Sequence, residues 1–171
     1  MSKARIWTAI TAILALSACV GEGFNRRPLT VGERAPEYGA RSFTGDSIDF
    51  EDFQGQPFVV NLWATWCTPC RAEMPELQEL SEHYGESLKV IGVSIDGHGA
   101  KDLIQDFLEE VGVDFQILLD PDRRFVREFT SVGVPETFLI DADGIIRAHW
   151  IGRFYPFDSA NVALIEDALA L

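Results

Sequence analysis

Trp66-Cys67-Thr68-Pro69-Cys70 stands between an unbroken apolar run, Pro57 to Ala64 (PFVVNLWA), and a segment over 68–83 that carries Met74, Leu77 and Leu80 at helical spacing. That order predicts a buried strand turning directly into a helix, with two cysteines at the helix mouth. A helix N-terminus presents unpaired N–H groups and the positive end of its dipole, which stabilises a thiolate on Cys67. Cys70, one turn further on the same face, can close a disulfide with Cys67 and is more shielded by the helix body, as a resolving thiol requires. Pro69 fits the first helical turn, where no donor is lost.

The rest of the chain alternates in pattern. Arg41 to Thr44 and Ile48 to Phe50 flank Gly45-Asp46 and predict an N-terminal β-hairpin. Leu88 to Ile95, Phe115 to Leu119, Thr137 to Ile140 and Ile145 to Ile151 are rich in β-branched residues and predict strands, the last two joined through Asp143-Gly144. Residues 101–111 place Leu103, Ile104, Phe107, Leu108 and Val111 on one stripe and predict a helix, as does Ser159 to Ala170. Strands separated by helices make a three-layer α/β fold.

The N-terminus has its own logic. Lys3 and Arg5 precede a charge-free stretch from Ile6 to Ala18, too short to span a bilayer and laid out as an export signal. Leu16-Ser17-Ala18-Cys19 resembles a bacterial lipobox, which implies a signal peptide over 1–18 and a lipid on Cys19; the alternative is a plain secretory signal. Without Lys3 and Arg5, the 14 basic residues become 12 against 27 acidic, a formal −15. Such a charge excludes nucleic acid as a partner and stands the domain off anionic headgroups. Val20 to Pro36, with its glycines and prolines, fits a flexible tether over 19–36, leaving 37–171 for the domain.

Two cysteines could instead belong to a structural zinc site. Such sites take four ligands, and His83, His98 and His149 are scattered singly, so no metal is expected. A peroxidatic cysteine is disfavoured because the upstream proline of peroxiredoxins is absent, position 60 being Val60. A Cu(I) carrier holding the ion on Cys67 and Cys70 would need a third ligand, for which His149 is the candidate.

Asn61-Leu62-Trp63-Ala64-Thr65-Trp66-Cys67-Thr68-Pro69-Cys70-Arg71-Ala72-Glu73-Met74-Pro75, followed by Gly133-Val134-Pro135-Glu136-Thr137-Phe138-Leu139-Ile140-Asp141, resembles the TlpA/ResA group of membrane-tethered thioredoxin-like proteins over roughly residues 30 to 170. The resemblance implies a thioredoxin-like α/β/α fold with a central mixed sheet, and thiol-disulfide exchange without a bound cofactor. It also implies that Pro135 is a cis-proline beside the sulfurs, with the Val134 backbone free to pair with a partner's chain; the alternative is an ordinary turn proline. Thioredoxin keeps a buried aspartate where this chain has Asn61, so the acid acting on the cysteines must come from elsewhere. Glu73, three residues after Cys70 and on its helix face, matches the acid of ResA-type proteins; alternatively it is a solvated helix glutamate. Glu136 sits where the cytochrome c maturation thioredoxins carry an acid, or else is a surface charge at a strand edge. Trp66 and Trp63 suit a partner surface and packing. By the same resemblance the protein works in the cell envelope, lipid-anchored and facing the periplasm or another extracytoplasmic space. It would reduce partner disulfides, with those of apocytochrome c as a candidate client, using electrons from a membrane donor of the DsbD or CcdA kind.

Overall fold

The apolar run of Phe58–Trp63 has no solvated face, and it becomes the central strand of the sheet, β3, buried at every position. The computed structural model of the chain describes residues 27–170; the expected signal peptide, Cys19 and the first part of the tether lie outside the described residues. Along the chain follow β1 (Gly39–Ser42), β2 (Ser47–Asp49), β3, α1 (Thr68–Tyr84), β4 (Lys89–Ser94), α2 (Lys101–Val111), β5 (Gln116–Leu119), α3 (Arg124–Glu128), β6 (Glu136–Ile140), β7 (Ile146–Ile151) and α4 (Ser159–Leu169). The strands form one mixed sheet in the order β2-β1-β5-β4-β3-β6-β7. β3, β4 and β5 are parallel, whereas β6 runs antiparallel to both β3 and β7. This is the thioredoxin-like α/β/α fold, with the expected N-terminal hairpin as β1 and β2.

Strand alternation assigns the two faces. Asn61 and Trp63 point toward α1 and α2, where Trp63 stacks on Phe107 with ring centroids 4.9 Å apart. Gly92 on β4 makes room for that indole, since a Cβ there would lie 2.9 Å from Trp63 Nε1. Phe58 and Phe138 point to the opposite face, into a cluster with Tyr38, Phe50, Phe125 and Phe129.

Two features depart from the sequence expectation. Helix α3 is not predicted by periodicity because it has one turn and a half. It forms because the buried Asp120 carboxylate accepts the Arg124 and Phe125 N–H groups at 2.9 and 2.6 Å, leaving Phe125 and Phe129 stacked 4.0 Å apart in the core. The described part of the expected tether is not free chain. Gly32 N–H donates to Ile146 O, Ile146 N–H to Glu33 O and Ala35 N–H to Gly144 O, all within 2.9 Å, so residues 32–35 lie along the start of β7. Among the described residues no helix is long and apolar enough to cross a membrane.

Candidate active site

β3 ends at Trp63, and the chain turns through Ala64, Thr65 and Trp66 into α1. The turn is held from the neighbouring strand end. Asp96, just past β4 and 5% exposed, accepts Thr65 Oγ1–H at 2.7 Å, Thr65 N–H at 3.0 Å and Ser94 Oγ–H at 2.8 Å. This brace escaped the sequence analysis, where an aspartate directly after the apolar run Leu88 to Ile95 was its one visible sign.

Cys67 caps α1, its Sγ accepting the Cys70 N–H at 3.2 Å. The two cysteines are joined as a disulfide with Cα atoms 5.2 Å apart. Cys67 is 5% exposed and Cys70 fully buried, so a sulfur approaching from solvent meets Cys67 first. Trp66 beside it is 62% exposed, and Trp63 is core.

Glu73 is fully buried, which removes the solvated-glutamate alternative. Its Oε1 accepts from Asn61 Nδ2 at 2.7 Å and its Oε2 from the Phe154 N–H at 2.9 Å. Asn61 Nδ2 also reaches Thr137 Oγ1 at 2.9 Å, while among the described residues its buried Oδ1 has no partner. Burial pushes the Glu73 carboxyl up to about 7, against the pull of the Phe154 N–H, the Asn61 amide and the Arg153 charge. A carboxyl poised there, on the same helix and three residues after Cys70, can take up or release a proton at neutral pH.

Just before β6, whose Glu136 pairs with Leu62 near the end of β3, the Val134–Pro135 bond is cis. Pro135 O accepts the Gly152 N–H at 2.9 Å, and among the described residues the Val134 N–H and C=O have no hydrogen-bond partner. Glu136 is 1% exposed, so it is not a surface charge at a strand edge. Its carboxylate meets no sulfur through a hydrogen bond; it bonds His149 Nε2, Ser131 Oγ and the Val132 N–H. Burial pushes the Glu136 carboxyl up, but the bonds from those three groups outweigh it and hold the group below its ordinary range. His149, the third ligand that the copper reading needs, is engaged by Glu136 at 2.6 Å, and among the described residues no three His, Cys, Asp or Glu side chains are placed to share an ion.

Comparison with known proteins agrees with this geometry. The AhpC/TSA family model matches residues 31–149. The thiol-disulfide oxidoreductase ResA of Bacillus anthracis is 29% identical over 159 residues, covering 90% of this chain and 91% of ResA. The thioredoxin-like protein YneN of Bacillus subtilis is 28% identical over 122 residues, 71% of each chain. Among solved structures, a protein described as thiol:disulfide interchange protein DsbE from Chlorobium tepidum superposes with a TM-score of 0.75 at 27% identity, over 82% of this chain and 99% of that one. A secreted thiol-disulfide isomerase from Corynebacterium glutamicum gives 0.70 at 26% identity, over 80% and 86%. With its Cys67/Cys70 pair at the mouth of α1, the chain belongs to the AhpC/TSA family and is a thiol-disulfide oxidoreductase of the ResA-like, thioredoxin-fold kind.

Proposed function

We propose that the protein is an extracytoplasmic reductant of partner disulfides, held at a membrane by a lipid on Cys19. The observation that supports this reading best is the pairing of a marginally accessible Cys67 with a fully buried Cys70 and Glu73. The Cys67 thiolate attacks one sulfur of the client disulfide, forming a mixed disulfide and releasing the other client sulfur as a thiolate. Glu73 takes the Cys70 proton, and the Cys70 thiolate attacks Cys67 Sγ. The second client sulfur leaves, and the Cys67–Cys70 disulfide results. The client's main chain pairs with the open Val134 backbone beside Pro135, and Trp66 contacts the client's flank. A membrane protein of the DsbD or CcdA kind returns two electrons, and the haem-binding cysteine pair of an apocytochrome c is a client of the right chemistry. The proton acceptor set into β3's neighbourhood is what a reductant working at neutral pH requires.

The test is twofold. Cys67→Ser abolishes exchange, and Cys70→Ser accumulates a covalent client adduct at Cys67; full activity in both variants overturns the assignment. Equilibration with glutathione gives a reduction potential near that of thioredoxin, about −270 mV, whereas a value near that of DsbA, about −120 mV, reverses the direction of electron flow.

A further inference from the structure

The segment from Ser131 to Pro135 carries the open Val134 backbone, and among the described residues few hydrogen bonds fix its path. At one end the Ser131 N–H donates to Val126 O at 2.9 Å, and at the other Pro135 O accepts from Gly152. Between these points, among the described residues, every hydrogen bond of the loop runs to a single oxygen: Glu136 Oε2 accepts the Ser131 hydroxyl and the Val132 N–H, the latter at 2.9 Å. The remaining oxygen, Oε1, lies 2.6 Å from His149 Nε2. The His149 ring lies parallel to Phe138, with centroids 4.1 Å apart and planes 8° from parallel, so the donor is fixed in direction. A carboxylate in so dry a place needs a charged or strongly donating partner to stay ionised, and ionised it is the better acceptor for both loop donors.

Glu136, Phe138 and His149 lie on the α3 face of the sheet, with Asn61, Thr137 and Glu73 on the other. The pair therefore stands apart from the acid that serves the cysteines. We infer that His149 is a positioning residue for client recognition: acting through Glu136, it sets the path of the loop against which the client's main chain pairs. The inference deepens the proposed function, resting on the pairing of a client with Val134. It predicts discrimination by substrate type, because a small disulfide has no main chain for the loop to hold.

The test follows reduction of two disulfides by the whole protein: a short peptide closed by a disulfide, and bis(2-hydroxyethyl) disulfide. His149→Phe keeps the stack on Phe138 and removes the donor. It raises KM for the peptide about tenfold, as loss of a charge-assisted hydrogen bond implies. The kcat, the rate with the small disulfide and the reduction potential stay at wild-type values. His149→Gln, which retains a donor, recovers most of the peptide affinity. Ser131→Ala leaves the buried pair intact and raises the peptide KM about threefold, which keeps the test open if His149→Phe does not fold. Unchanged peptide KM in these variants, equal slowing with both disulfides, or a shifted potential overturns the inference. A peptide N-methylated beside its cysteine separates the two levels. If wild type reduces it as fast as the parent, client pairing at Val134 fails and takes the inference with it; if wild type discriminates while the variants match wild type on the parent, the inference alone fails.

Discussion

Replacing Glu73 by glutamine should remove a pH dependence of stability that the wild-type protein carries on its active-site helix. Burial raises this carboxyl from 4.5 to about 7, so between those values the folded protein keeps a proton that the unfolded chain has already released. Raising the pH through this window therefore destabilises the wild type, by about 1.4 kcal/mol per pH unit, and the loss ends once the pH passes about 7. The whole effect is about 3 kcal/mol, a large part of the stability of a domain this size. The assay is urea unfolding of the oxidised protein, in which the disulfide keeps both cysteines from titrating, at intervals from about pH 5 to about pH 8 for wild type and Glu73→Gln. Glutamine keeps the shape and an acceptor for the Phe154 N–H, and other ionisable groups cancel in the difference. Glu136, held low, makes the opposite contribution: its share of stability is present above its ordinary range and is lost in acid, below this window. Parallel stability curves for the two proteins would refute a buried, protonatable Glu73.

Asn61→Leu deprives the Glu73 carboxylate of its Nδ2 donor and should move the midpoint of that pH dependence upward by about one to two units, read from the same unfolding series or from the pH profile of thiol alkylation. Trp63→Ala empties a fully buried site stacked on Phe107 and should cost about 3–5 kcal/mol in urea unfolding. Asp96→Ala strands the Thr65 N–H and two hydroxyls at the turn into α1. It should cost about 2 kcal/mol and slow exchange with every disulfide alike, small or peptide, since Thr65 precedes Cys67 by two residues.

Most of the scaffold is legible in the sequence because its signals are local. The apolar stripe over 101–111 is the helix Lys101–Val111, and the β-branched runs are strands to within a residue or two. Helix α3 was not legible, since its cause is the Asp120 side chain and an aromatic pair that counts as amphipathic only once Tyr38, Phe50 and Phe138 surround it. The stretch 27–36 reads as linker by composition, yet the backbone of residues 32–35 bonds to the start of β7, more than a hundred residues away.

The site divides in the same way. Sequence alone places two cysteines at a helix mouth and a glutamate on their face, because three-residue spacing and a helix terminus are properties of the chain itself. Whether that glutamate is wet or dry depends on the loop after β7 folding over α1 to bring in the Phe154 N–H, 81 residues away. The partner of His149 follows from the register of β6 on β7, which sets Phe138 opposite His149 and Glu136 one repeat along the same face. Spacing along a chain fixes which groups can share a turn. Desolvation and proton affinity depend on what the remainder of the chain lays over them, and that is decided by packing.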